Sequence, residues 1–452
     1  MAAEVAAAKT RLESTNCGEL GSARGVHYFS EAAGIFPKKS DRTTAEEGRM
    51  GRSVWGLHAL AGAAMLAATG VSAQISDDVV RVGVLTDLSG PYADSGGKGS
   101  VIAAEMAARD FGGKVKGKPI EIVSADHQNK PDVASSIARR WYDVEKVDAI
   151  VDLPVTAIAL AVQAVAKEKR KTVMITAAAT SDLTSKTCTP SSSHWTDDTH
   201  ALTAGTARAV FERGGKSWYF ITVDHAFGAA LQKEATDVIT SLGGKVVGTS
   251  RHPINNADYS SFLLQAQASG ADVVAFASVG DDFTKAVKQA NEFGLMAGRQ
   301  TMTGFLVYIT DIHGLGLQVA QNLNFSEAFY WDQNDETRAF GKRFLEATGA
   351  MPTKNQALIY TSVTHYLKAV DKAGTDETAA ANKAMRDMPV AFFGKPATLR
   401  ADGRLLYDPV LYRVKKPSES KAPWDYYEAI RTIPQNEAFL PMNPACGFTQ
   451  PG

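Results

Sequence analysis

Residues able to do chemistry are few in this 452-residue chain, and their spacing argues against most catalytic arrangements. The loop Thr86 to Gly99 (TDLSGPYADSGGKG) is rich in glycine. It matches neither GxGxxG nor GxxxxGK followed by Ser or Thr, so a phosphate cradle is not expected there. There is no GxSxG elbow for a nucleophilic serine and no HExxH pair for zinc. His194 and His200 flank Asp197 and Asp198 in a spacing that fits no standard metal motif, and the stretch reads as a solvated hinge loop. Asp281 and Asp282 adjoin one another after an apolar run. Acid–base work would need a partner from another loop, and capping the following helix is the simpler role. Cys17, Cys188 and Cys446 are too widely spaced for a thiolate metal site or a CxxC redox pair. Neither a metal nor a cofactor is expected.

The elements that would carry these residues alternate. Val80 to Leu85, Ile120 to Ser124, Ala149 to Leu153 and Val173 to Thr176 are short apolar runs that predict buried strands. Between them Val101, Ala104, Ala108 and Phe111 share one helical face, and Val133, Ile137 and Trp141 share another. Repeated alternation predicts a parallel sheet with helices on both faces. A second series follows the Ser/Thr-rich stretch Ser181 to Thr199. Its strands are Trp218 to Val223, Lys245 to Thr249, Val273 to Ala277 and Gln300 to Thr303, and its clearest helix carries Leu231, Ala235, Val238 and Leu242. Beyond Asn324 come two long helices, Glu336 to Thr348 and Gln356 to Ala373, a short one ending near Met388, and extended segments at Leu411 to Val414 and Tyr426 to Ile430. These complete the two α/β lobes and require the chain to cross between them several times. Pro417 to Pro423 (PSESKAP) is the most linker-like segment.

Length alone suits about two domains. Forty-eight basic against 49 acidic residues leave no cationic excess for a phosphate backbone, so nucleic acid is not an expected partner. One stretch, Trp55 to Val71, is apolar but too short and too weakly so to span a bilayer. Arg49 and Arg52 precede it and Val71-Ser72-Ala73 follows it, which is the pattern of a secretory signal cut between Ala73 and Gln74. Met50 is then a better start than Met1, residues 1–49 are a start-site artefact, and 50–73 are the signal peptide. Export to an oxidising compartment leaves Cys188 and Cys446 as two lone thiols, which favours a disulfide between them; the alternative is a buried Cys188 with a free Cys446.

Export, two successive α/β lobes and strand-end loops without catalytic groups describe a cleft that binds rather than reacts. The segments VRVGVLTDLSGPYADSGGKGSVIAAEMAARDFGG (Val80 to Gly113), VMITAAATSDLT (Val173 to Thr184) and DHAFG (Asp224 to Gly228) carry a family resemblance. Over roughly Val79 to Ile433 the chain resembles the type I periplasmic substrate-binding proteins of the leucine/isoleucine/valine class, which feed ABC importers. The resemblance implies a two-lobed fold with a multi-crossing hinge. Residues 78–198 with 328–408 would form the N-terminal lobe, 199–327 with 409–433 the C-terminal lobe, and 434–452 a tail. It further implies a monomer in the periplasm that carries a small-molecule solute to an inner-membrane ABC permease.

In that family the ligand carboxylate is held by backbone N–H groups and hydroxyls at helix N-termini of the first lobe. The matching positions are Thr156 with Ala157, and Ala178 with Thr180; each threonine has simple N-capping as its alternative. Tyr92 would form a pocket wall and Phe227 would be the aromatic residue from the second lobe, with core packing as the alternative for both. Amino-acid binders present a Glu after the strand ending near Thr303, where this chain has Gly304-Phe305-Leu306-Val307-Tyr308. Either Asp281 supplies the charge for a ligand ammonium or the ligand lacks an amine, and aromatic residues such as Phe305 suit an aromatic or aliphatic carboxylate. Two other functions remain open: an exported enzyme using Asp224, Asp281 or Asp282 in the cleft, and a sensor ectodomain, which would add a transmembrane segment near the C-terminus.

Overall fold

The computed structural model describes residues 74–295 and 298–446. The expected start-site artefact at 1–49, the expected signal at 50–73 and positions 447–452 of the tail lie outside the described residues.

The central strands of the first lobe, at 80–86, 149–152 and 172–175, are buried along both faces, as strands covered by helices on both sides must be, and further strands and the helices flank them. The elements are β1 (Val80–Thr86), α1 (Gly97–Asp110), β2 (Lys114–Val115), β3 (Lys118–Asp126), α2 (Pro131–Asp143), β4 (Ala149–Asp152), α3 (Thr156–Lys169), β5 (Thr172–Ile175) and β6 (Ser192–His194). The sheet order is β2-β3-β1-β4-β5-β6, parallel apart from the β2–β3 hairpin. Gly83 lets the Trp141 indole lie against β1, because a Cβ there would stand 2.5 Å from the ring.

The second series is α4 (Thr199–Glu212), β7 (Ser217–Val223), α5 (Ala226–Ser241), β8 (Lys245–His252), α6 (Ser260–Ala268), β9 (Val273–Ala277), α7 (Asp281–Glu292), β10 (Thr301–Gly304), α8 (Ile309–Leu315), α9 (Leu317–Ala320) and β11 (Asn324–Glu327). Strands β10-β9-β7-β8 make a parallel sheet. The chain then returns through α10 (Asp335–Thr348), α11 (Lys354–Ala373), α12 (Thr378–Asp387), β12 (Val390–Phe392), β13 (Lys395–Leu399) and β14 (Leu405–Leu406). It ends with β15 (Val410–Val414), β16 (Tyr427–Thr432) and α13 (Gln435–Ala438). Antiparallel β11-β15-β16 lies beside the second lobe and β12-β13-β14 beside the first, where α11 joins the core of the six-stranded sheet. The linker-like Pro417 to Pro423 is a short connection between β15 and β16, not a boundary between lobes.

The stretch read as a solvated hinge loop is neither solvated nor wholly a loop. Ser192–His194 is strand β6, and residues 191–199 are buried. Hydrogen bonds replace the missing apolar contacts: Gln163 Nε2 donates to Ser192 Oγ at 2.9 Å and Trp195 Nε1 donates to Ser193 Oγ at 2.8 Å. Arg404 Nη1 lies 2.7 Å from His194 Nδ1, which leaves Nε2–H to donate to the Ala178 carbonyl at 2.7 Å. Burial and the Arg404 charge hold His194 neutral, and with both ring nitrogens hydrogen-bonded it has none left for a metal.

At the lobe junction Lys354, the first residue of α11, donates from Nζ to Asp197 Oδ2 at 2.6 Å, with both side chains 1% exposed. Tyr407 donates its hydroxyl to Asp197 Oδ1 at 2.7 Å. Buried Glu327 shares the Lys354 charge, and burial holds its carboxyl well above the usual range. Asp197, Glu327 and Tyr407 come from three separate stretches of chain; the ammonium bonds Asp197 directly, reaches Tyr407 through it and acts on Glu327 through its field. Lys354→Ala should therefore cost roughly 3 to 5 kcal/mol, because it strands a buried carboxylate. Guanidinium unfolding reads this, and Lys354→Met combined with Asp197→Leu should lose markedly less. Equal losses for the two variants would show that the charge pair does not govern the junction.

Candidate functional site

Loops at the carboxyl ends of parallel strands are where open α/β sheets bind ligands. Here the loops after β1, β4 and β5 meet those after β7, β9 and β10 and enclose a cavity of about 20 Å³, room for one water molecule. The first lobe contributes Tyr92, Ser95, Pro154, Val155, Thr156, Ala177 and Ala179; the second contributes His225, Phe227, Val279, Leu306 and Tyr308. The lobes touch at this point. Gly280, at φ +63, approaches so closely that a Cβ would stand 2.9 Å from the Pro91 carbonyl.

Backbone strain aims the β4 loop. Asp152 and Leu153 both have positive φ, at 91 and 66, and turn the chain so that Pro154 to Thr156 face the cavity. Thr156 is the first residue of α3, and the N-cap is Val155, which makes no side-chain cap. The Thr156 hydroxyl is buried without a partner, so the capping alternative fails.

His225 does cap its helix. The Phe227 N–H donates to Nδ1 at 3.2 Å, which leaves Nε2 carrying the proton, 3.5 Å from the Tyr92 hydroxyl across the cleft. Burial lowers the His225 pKa, against the opposing pull of Asp282, so the ring is a neutral N–H donor. Tyr308 is held from the other lobe, where Asn355 Nδ2 donates to its hydroxyl at 3.0 Å. No Asp, Glu, Lys or Arg lines the cavity.

Of the expected contacts, Tyr92, Thr156 and Phe227 come together here, and five do not. Ala157 sits one helical step from Thr156 and faces solvent. Ala178 has its N–H bonded to Leu153 O at 3.1 Å and its carbonyl bonded to His194, so its neighbours Ala177 and Ala179 line the cavity instead. Thr180 caps the short helical turn Ser181–Thr184, accepting from Asp182 N at 3.4 Å. Phe305 is in the second-lobe core, with ring centroids 6.4 Å from Trp218 and 6.3 Å from Phe220. Asp281 lines an adjoining recess of about 210 Å³ and pairs with Lys285 at 3.3 Å. Neither aspartate caps α7, whose N-cap is Gly280; Asp282 is buried and accepts from Asn256 N and the Tyr259 hydroxyl, both at 3.0 Å. The polar lining also includes Ser95, His225 and Tyr308, which the sequence reading does not name as contacts. His225 lay inside the quoted DHAFG segment, and Tyr308 ends the run noted for its missing carboxylate.

A family model described as a periplasmic binding protein matches residues 79–421. The chain belongs to the periplasmic binding protein family. It is 43% identical to a periplasmic binding protein from Burkholderia mallei, covering 82% of this chain and all of that one, with a TM-score of 0.80. It is 40% identical to a branched-chain amino acid ABC transporter periplasmic ligand-binding protein from Burkholderia xenovorans LB400, covering 80% and 97%, with a TM-score of 0.73. A Leu/Ile/Val-binding protein homolog of Brucella melitensis is 28% identical over 53% of this chain, and the match spans 62% of that relative's length. These relatives are named as binding proteins, and the cavity of this chain lies between its two lobes. Among the described residues, no helix is long and apolar enough to cross a membrane and no group of three or more His, Cys, Asp or Glu could hold a metal ion.

Beneath the cavity, Asp152 is fully buried beside the hydroxyls of Thr86 and Ser100, with neither carboxyl oxygen in a well-formed hydrogen bond. Burial lifts its pKa from 3.8 to about 6. The folded state thus keeps a proton that the unfolded state releases, and this contribution is full below about 3.8 and lost as pH rises through about 6. Asp152→Asn should raise the denaturation midpoint above that range and change it less below. A gain independent of pH would mean that Asp152 titrates normally.

Proposed function

We propose that this chain is the periplasmic solute-binding component of an ABC importer, with a cleft for a small aromatic or aliphatic carboxylate that carries no ammonium group. The lobes, 78–198 with 328–408 and 199–327 with 409–433, would rotate about the junction at Lys354 and deliver the closed form to an inner-membrane permease. The supporting observation is the lining, which offers donors and rings but no carboxylate. The free Thr156 hydroxyl, the His225 Nε2–H and the start of α3 suit an anion. Tyr92, Phe227 and Tyr308 suit a ring or branched chain. A ligand ammonium would be buried without a counter-charge, which costs several kcal/mol. Since the cavity admits one water, a solute must part the lobes to enter.

A second reading, a whole amino acid, is favoured by one feature. The adjoining recess carries Asp94, Asp281 and Asp311 and shares Ser95 with the cavity, so an ammonium reaching through could meet a carboxylate. Calorimetry with benzoate, 4-methylpentanoate and leucine separates the two readings. The acids should bind and leucine should not; leucine binding more tightly than both acids would overturn the first reading. Thr156→Val should weaken binding of the acid by roughly 1 to 3 kcal/mol, whereas Thr180→Ala should lower stability and leave affinity unchanged.

Gly280→Ala sets a methyl group against the Pro91 carbonyl of the other lobe at 2.9 Å. It should shift the population toward the open form, enlarge the radius of gyration in small-angle scattering and weaken binding. An unchanged radius and affinity would place closure elsewhere.

A further inference from the structure

The interlobe cavity is not the largest in the molecule. A cavity of about 550 Å³, within the range of small-molecule sites, opens between the second and third connecting segments, and it shares no lining residue with the cleft. Its polar wall is Asp332 and Gln333 from the second segment, Asp408 from the third, Lys395 of β13 and Arg431 of β16. Its aromatic floor is Tyr330, Tyr412 and Tyr427. The Tyr330 and Tyr427 rings stack at 4.7 Å, and Tyr412 lies 5.6 Å and 5.5 Å from them.

Most charges on this wall already have partners. Asp332 accepts from Arg338 at 2.9 Å, Arg431 donates to Glu437 at 2.5 Å and Asp408 accepts from the Gln435 N–H at 2.8 Å. Among the described residues, Asp408 forms no ion pair, and neither does Lys395. Its Nζ donates at 2.6 Å only to the neutral Gln333 amide, which in turn donates to the Tyr412 hydroxyl at 2.5 Å. The hydroxyl of Tyr427 is buried without a partner. An amine whose one hydrogen bond is to a neutral amide, beside a floor of rings, is complementary to an anion attached to an aromatic ring.

We infer that the cavity between the second and third connecting segments is a second binding site, for small aromatic carboxylates, with Lys395 as the anion contact and the three tyrosines as the ring contact. Burial pulls the Lys395 pKa down to about 8, and the nearby Asp408 charge opposes that shift. This site does not depend on the ligand class assigned to the cleft.

Site-resolved acylation tests it on the native protein. Lys395 should react readily with acetic anhydride near its pKa, and millimolar benzoate should slow that labelling severalfold, whereas cyclohexanecarboxylate should protect less and inorganic phosphate least. Thr156→Val, which impairs the cleft, should leave this protection intact. Calorimetry adds a second readout: the parent protein should give a two-site benzoate isotherm from which Lys395→Met removes one component. Labelling of Lys395 that benzoate does not alter, or protection lost in Thr156→Val, overturns the inference and leaves the cleft reading standing. Protection that persists together with an unchanged calorimetric response in Thr156→Val keeps this site and removes the cleft assignment.

Discussion

The arrangement depends on one buried ion pair, Lys354 with Asp197. A charge taken out of water is tolerable only when it is paired and its remaining valences are used. Here one ammonium satisfies Asp197, shares its field with Glu327 and, through Asp197, engages Tyr407. Desolvation offsets much of the attraction in such a pair, so it adds little over apolar packing, whereas losing one partner is costly. The next residue, Asn355, reaches Tyr308 on the wall of the cleft, so the same helix terminus that organises the junction also positions the site.

A second buried device works beside it. Arg404 bonds His194 and the Thr196 carbonyl, and His194 in turn bonds the Ala178 carbonyl. The loop after β5 is therefore fixed from behind by a cation that never reaches the cleft, and Ala178 is occupied in being held. Arg404 also lies 4.7 Å over the Phe439 ring, and Cys446 is bonded to Cys188 with Cα atoms 5.7 Å apart. The tail is thus fastened to the first lobe at two places, and the disulfide, with a sequence separation of 258, restricts the unfolded chain more than a short loop would, on the chain-entropy account.

The cleft combines donors with an absence of formal charge. A preorganised neutral donor set can hold an anion without the desolvation cost of a buried cation, and it offers nothing to an ammonium. Positive φ at Asp152 and Leu153, and the buried carboxyl of Asp152, mark the β4 loop as a place where local stability is spent on geometry.

Much of this was legible in the sequence because burial on both faces leaves a pattern. The apolar runs of β1, β4, β5, β7 and β9 required no tertiary information, whereas Tyr92, Thr156 and Phe227 came from the family resemblance, with capping or core packing as their alternatives until the cavity lining brought them together. What the chain could not reveal locally was decided by partners distant in sequence. Strand β6 has no apolar signature, because its serines and histidine are satisfied by Gln163, Trp195 and Arg404, up to 210 positions away. Phe305 and Leu306 are equally apolar neighbours. Only the packing of Trp218 and Phe220 sends the first into the core and leaves the second in the cavity. Thr156 and Thr180 are alike as residues at the start of a turn, yet one hydroxyl caps a helix and the other is left free. Periodicity records which faces are buried; which buried groups find a partner depends on three-dimensional neighbours, and that difference decides what remains available to bind a ligand.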